Sequence, residues 1–172
     1  RVMLERALKS AGEYTPERLE ELTPILMRWY QEHLCDHTRL YPGAMAAMEE
    51  LRGRGKRLAI CTNKFERFTL PIISALGLDR LFDAVVSGDT VGRAKPNRAP
   101  LDEMARRAGG GRCVFLGDTS NDIDGARNAE MASIAVTFGF VDAASELGAD
   151  AVIDHFDELV PLLEDWHGQT GR

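Results

Sequence analysis

Gly117-Asp118-Thr119-Ser120-Asn121-Asp122 sets two carboxylates one helical turn apart, just after the apolar run Cys113-Val114-Phe115-Leu116 and at the start of a helical pattern. Acids at the junction of a buried strand and a helix suit an oxygen-loving cation such as Mg²⁺. The alternative is that Ser120, Asn121 and Asp122 cap a helix and favour its N-terminal dipole. Asp124, a further acid near the same turn, reads as a solvated dipole partner. Thr62 follows a second apolar run, Leu58-Ala59-Ile60-Cys61. A hydroxyl there, with the backbone N–H groups of Asn63 and Lys64, can hold phosphate oxygens; the alternative is a helix N-cap or a loop threonine. Lys95 lies in Gly92-Arg93-Ala94-Lys95-Pro96-Asn97, where Pro96 keeps it extended. Such a lysine can neutralise a phosphate and a neighbouring carboxylate, or it can be an ordinary solvated surface lysine.

The elements that must position these residues follow from the hydrophobic pattern. Val2, Leu4, Ala7, Leu8 and Ala11 fit one helix, ended by Gly12. Thr15-Pro16 opens a second, with Leu19, Leu22, Leu26, Trp29, Tyr30 and His33 on its apolar face and Pro24 predicted to kink it or end its first segment. From Tyr41-Pro42-Gly43 onward helices and short strands alternate. Helices are predicted over 44–54, 68–75, 97–108, 120–129 and 156–164, and strands over 57–61, 84–87, 112–116, 133–137 and 151–153. Pro71 is expected in the first turn of its helix, and Asn97 is expected to be an N-cap. The predicted organisation is an all-helical unit over 1–40, an α/β unit over 41–166 and a polar, frayed tail over 167–172. Strands alternating with helices predict a Rossmann-like, doubly wound parallel sheet covered on both faces. Ligands of such sheets bind beyond the carboxyl ends of the strands. That rule selects Thr62-Asn63-Lys64, Ser87-Gly88-Asp89, Gly117-Asp118 and Phe138-Gly139.

Bulk properties narrow the classes of function. The 172 residues carry a net charge of −6, which argues against non-specific binding to nucleic acid or to an anionic membrane. No apolar run approaches the length needed to span a bilayer. The N-terminal residues show no signal-peptide pattern. Cys35, Cys61 and Cys113 are widely spaced and form no CxxC pair, so neither zinc nor a disulfide framework is indicated. A reducing cytoplasm fits this cysteine usage.

Thr62, Lys95 and the Asp118/Asp122 pair follow three different strands, in the order hydroxyl, lysine, paired acids. This ordered set resembles the haloacid dehalogenase superfamily of phosphatases, whose second motif is a Ser or Thr after a strand, third a Lys, and fourth Gly-Asp-x-x-x-Asp. Thr38-Arg39-Leu40-Tyr41-Pro42-Gly43, Cys61-Thr62-Asn63-Lys64 and Lys95-Pro96 resemble the phosphoglycolate phosphatase branch more closely, and residues 1–40 look like part of that branch's helical cap. The resemblance implies a Mg²⁺-dependent phosphomonoester hydrolase acting on a small phosphorylated acid such as 2-phosphoglycolate. It implies catalytic roles for Thr62 and Lys95, and phosphate binding by Thr62, Asn63 and Lys95. It implies a metal site at Asp118 and Asp122, with Asp122 either a ligand or the group that holds a metal-bound water or Lys95.

One departure is large. The superfamily's first motif, Asp-x-Asp-x-Thr or Asp-x-Asp-x-Val, does not occur in this sequence. Its first Asp is the nucleophile that forms an aspartyl-phosphate, and its second is the general acid and base. It lies on a central strand between those that end here at Cys61 and Leu116. The sequence is therefore expected to be a partial record of a longer protein that begins inside the cap, and to be inactive by itself. Without the central strand, the flanking strands must close a gap or leave backbone groups unpaired. The alternative is a non-catalytic binding or regulatory member. A response-regulator receiver is excluded, because its acid pair comes near the start of the chain.

Overall fold

The helical periodicity of the first residues produces α1 (Val2–Ala11) and α2 (Pro16–Glu32), which pack together. The computed structural model describes residues 2–140 and 143–170. Contacts divide the chain into two units, 1–38 and 39–172. In the first, Thr15 caps α2 by accepting the Arg18 N–H at 3.1 Å, with Pro16 in the first turn. Leu8 and Leu19 are the buried residues of the two helices. Pro24 does not end α2; the helix continues through it to Glu32. A proline removes one donor, here towards the Glu20 carbonyl. The turn before it is held by the Thr23 hydroxyl, which donates to the Leu19 carbonyl at 2.6 Å.

The second unit is an α/β structure. It contains α3 (Ala44–Gly53), β1 (Ala59–Cys61), α4 (Glu66–Ala75), β2 (Ala84–Val86), α5 (Ala99–Arg107), β3 (Val114–Gly117), α6 (Ser120–Asn128), β4 (Ala132–Val136), β5 (Ala151–Ile153) and α7 (Leu159–Thr170). All strand pairings are parallel. Cys61 sits opposite Val86, Gly117 opposite Ala135, and Val136 opposite Ile153. Alternation of side chains along β4 builds a core on each face. Ile134 and Val136 pack with Ala47, Leu51, Ile153, Leu159 and Val160, from α3, β5 and α7. Ala135 packs on the opposite face with Ile123 of α6. A third cluster joins Cys61, Val86 and Phe115 to Leu101 and Met104 of α5 and Ala126 of α6.

The sheet is not continuous. β1 pairs with β2, and β3–β4–β5 form a separate ladder, with no backbone pairing between β1 and β3. Of the two outcomes open to these strands, the structure takes the unpaired one. A cavity of about 440 Å³ opens there, with Cys61 on one side and Phe115, Leu116 and Gly117 on the other. Side-chain packing across the third cluster holds the two ladders in one unit.

Three local expectations change. Pro71 lies in the second turn of α4, because the helix starts at Glu66; burial of Phe68 and Ile73 anchors it on either side of the proline. Asn97 is not the N-cap of α5. The helix starts at Ala99, and Asn97 Oδ1 accepts the Ala99 N–H at 2.9 Å to form the preceding turn. The expected tail is helical as far as Thr170, and its last two residues lie outside the described ones.

Leu101 has no exposed surface and sits where β1, β2, β3, α5 and α6 meet. Leu101→Ala is expected to cost about 3 kcal/mol of unfolding free energy, checked by urea denaturation followed by circular dichroism.

Candidate active site

Each strand-tip residue is delivered by the end of a parallel βα unit. Thr62 continues β1, and its N–H still donates to Val86 carbonyl at 2.9 Å. The chain then turns, and the Lys64 N–H donates to Thr62 Oγ1 at 3.1 Å. The threonine oxygen is therefore an acceptor locally, and its own O–H stays available as a donor. Thr62 is not a helix cap, since α4 begins after Phe65. The Lys64 N–H, a candidate phosphate donor by sequence, is engaged by this turn.

Lys95 precedes a cis peptide bond to Pro96 and is buried, with 8% of its surface exposed. It is not a solvated surface lysine. Its ammonium donates to the Cys61 carbonyl at 2.7 Å and to Asp122 Oδ1 at 2.6 Å, and lies 4.9 Å from the centre of the Phe115 ring. Both its backbone groups are bonded to the Asn63 side chain: the Lys95 N–H donates to Oδ1 at 2.8 Å and Nδ2 donates to the Lys95 carbonyl at 3.0 Å.

Asp122 caps a helix, as one reading of the sequence has it, and also partners Lys95. As the third residue of α6 it closes a capping box, accepting the Thr119 N–H at 3.0 Å and the Thr119 hydroxyl at 2.6 Å on Oδ2. Its other oxygen takes Lys95. Burial pushes the Asp122 carboxyl up, but the Lys95 ammonium and the Thr119 donors outweigh it, and the group ionises below the ordinary aspartate range. Burial also pushes the Cys61 thiol up to about 11, against the pull of Lys95 and with a small push from Asp122. Cys61 is therefore a neutral thiol at physiological pH, and a poor nucleophile.

Asp118 is held differently. Its Oδ2 accepts the Phe140 N–H at 2.9 Å from the loop after β4. That loop can come so close because residue 139 is glycine; a Cβ there would overlap the Asp118 side chain, and one at Gly117 would overlap Asp122. Asp124 pairs with Arg127 at 2.6 Å on the exposed side of α6 and takes no part in the site.

The cavity between the ladders is lined by Thr62, Asn63, Lys64, Lys95, Asp118 and Asp122, among others. All five residues selected from the sequence thus meet at one place. Thr119 and Phe140 were missed. Thr119 carried a signal, the Thr-x-x-Asp spacing of a capping box, whereas the Phe140 N–H is a backbone donor that no side-chain pattern announces. Among the described residues, no group of three or more His, Cys, Asp or Glu is arranged to hold a metal ion. The carboxylates of Asp118 and Asp122 are the candidate donor set, with Asp122 already accepting a hydrogen bond on each oxygen. That set is compatible with Mg²⁺, which takes one or two carboxylates and completes its shell with waters and substrate phosphate oxygens.

A doubly wound α/β unit with a hydroxyl, a buried lysine and paired acids at its strand tips defines a phosphate-handling site of the hydrolase type. Residues 4–130 match the model of the haloacid dehalogenase-like hydrolase family, and the chain belongs to that family. It is 38% identical to a phosphoglycolate phosphatase of Agrobacterium fabrum over 95% of this chain and 72% of that protein. It is 39% identical to a phosphoglycolate phosphatase of Mesorhizobium japonicum over 95% and 74%. The crystal structure of a predicted phosphoglycolate phosphatase from Haemophilus somnus superposes with a TM-score of 0.84 at 29% identity, covering 92% of this chain and 73% of that one. No helix among the described residues is long and apolar enough to cross a membrane.

Because the folded-state pKa of Asp122 is lowered, its contribution to stability is present above the unfolded aspartate value, about 3.9, and is lost as pH falls through the lower folded value. Asp122→Asn is expected to cost about 3 kcal/mol at pH 7, since it strips a buried lysine of its counter-charge. The gap to wild type should narrow once the pH falls below about 4. Chemical denaturation of both proteins at pH 7 and pH 3 measures this.

Proposed function

We propose that the complete protein is a Mg²⁺-dependent phosphomonoesterase acting on a small phosphorylated acid such as 2-phosphoglycolate. The observation that carries this reading is the convergence of Thr62, Lys95 and Asp118 on one cavity at the strand tips, with Asp122 behind Lys95. In this reading the Thr62 hydroxyl and the Asn63 backbone N–H meet oxygens of the transferring phosphoryl group. Lys95 neutralises part of its charge from a fixed position. Asp122 keeps Lys95 aimed, and Asp118 offers a carboxylate oxygen to the cation. Mg²⁺, when bound, offsets the charge that a dianionic substrate brings among carboxylates.

The phosphoryl group would pass to an Asp carboxylate of an Asp-x-Asp motif, the alcohol would leave, and water would hydrolyse the aspartyl-phosphate. These 172 residues contain no Asp-x-Asp-x-Thr or Asp-x-Asp-x-Val sequence (Asp122-Ile123-Asp124 of α6 is followed by Gly125-Ala126), so they are expected to release no phosphate alone. The same observation favours a second reading, a non-catalytic binding or regulatory protein. The gene sequence encoding the residues before Arg1 separates the two: an Asp-x-Asp motif there supports the enzyme.

In the complete protein, Asp118→Ala should lower Mg²⁺-dependent hydrolysis of 2-phosphoglycolate by at least about 10²-fold, read by phosphate release. Turnover close to wild type would remove Asp118 from its role. Phosphate release by the 172-residue polypeptide itself would show that the nucleophile lies elsewhere.

A further inference from the structure

Asn63 is a candidate phosphate ligand by its place beside Thr62, yet its side chain is committed elsewhere. An amide offers one acceptor oxygen and two N–H donors. Oδ1 takes the Lys95 N–H and Nδ2 gives a proton to the Lys95 carbonyl, so the amide meets both backbone groups of one residue across 32 positions of sequence. Cys61, two residues earlier, accepts the ammonium of that same lysine. The turn 61–63 therefore grips Lys95 at both ends, and the residue between the two grips is Thr62. That turn is itself tied down, since the Lys64 carbonyl accepts the Gly88 N–H at 2.8 Å and Asp89 Oδ1 accepts the Glu66 N–H at 2.9 Å.

We propose that the Asn63 side chain is a positioning group that fixes Lys95 relative to Thr62, and that it does not bind the transferring phosphate. The catalytic part of this inference rests on the phosphatase reading above; the positioning itself does not. Donor and acceptor must both be present and correctly spaced. Gln is one methylene too long to reach the same two atoms. Asp keeps an acceptor for the Lys95 N–H but turns a second oxygen towards the Lys95 carbonyl, where two acceptors repel. Ala loses both bonds.

The first test needs neither substrate nor metal. Amide hydrogen exchange is measured on the ligand-free 172-residue protein, wild type and variants. Asn63→Ala should speed exchange of the Lys95 amide by at least about tenfold, and Asn63→Asp should give an intermediate rate. Amides of β4 serve as the reference for an intact fold. A phosphate ligand would alter none of these rates in the absence of phosphate, so an unchanged Lys95 amide in Asn63→Ala overturns the proposal. The second test uses the complete protein and a double-mutant cycle on kcat/KM for 2-phosphoglycolate. Asn63→Ala should lower kcat about tenfold with little change in KM, and should have almost no further effect once Lys95 is replaced by Arg. Additive losses would mean that Asn63 acts independently of Lys95, and would overturn the proposal. A complete protein with no phosphatase activity would refute the function proposed above and leave the exchange experiment to decide the role of Asn63.

Discussion

The ion pair between Lys95 and Asp122 bridges the two halves of a divided sheet. Lys95 Nζ reaches the last carbonyl of β1, and its carboxylate partner stands one turn beyond the end of β3. No ladder hydrogen bonds join those strands, so besides hydrophobic packing this buried lysine is a polar link between their carboxyl ends. Two charges taken out of water are held only where geometry and additional hydrogen bonds offset their desolvation. Here every remaining valence has a use. The Thr119 donors occupy the far oxygen of Asp122, the Cys61 carbonyl occupies a second ammonium proton, and the Phe115 ring lies close to the cation. The capping of α6, the closure of the β1 turn and the placement of Lys95 thus depend on one interaction. A substitution at any of these positions is felt at the others.

Much of this was legible in the sequence because parallel βα units deliver their chemistry at strand ends. Thr62 and Asp118 could be picked out by position after an apolar run, Asp122 by its spacing from Asp118 and Lys95 by the proline that follows it, and they meet as a result of topology. The alternation of helix and strand gave the class of fold for the same reason. Local rules failed where packing overrides them. Pro24 and Pro71 each delete a single helical donor, and neither ends its helix. Partnerships between distant residues left no trace, since nothing near Asn63 in sequence announces that its amide pairs with the backbone of Lys95. Asp122 was ambiguous because one carboxylate both caps α6 and lines the cavity beside Lys95.

Local charge balance explains why the two acids differ. Lys95 pairs with Asp122 Oδ1 and the Thr119 donors meet Oδ2, so that carboxylate is the more heavily engaged of the two. Among the described residues Asp118 forms no ion pair, and its Oδ2 accepts a neutral backbone donor, the Phe140 N–H.

If the complete protein binds Mg²⁺ as proposed, the bond between the Phe140 N–H and Asp118 Oδ2 would also bear on ion selectivity. With Oδ2 tied to the loop after β4, the carboxylate presents a single oxygen to an incoming ion, and two-point chelation would require breaking that bond. Ca²⁺ builds its crowded, irregular shell in part from bidentate carboxylates, whereas Mg²⁺ works with one-point ligands in a compact octahedron. In the proposed enzyme, a glycine at position 139, by letting the chain pass close enough for its neighbour to hold one oxygen, would disfavour the larger ion.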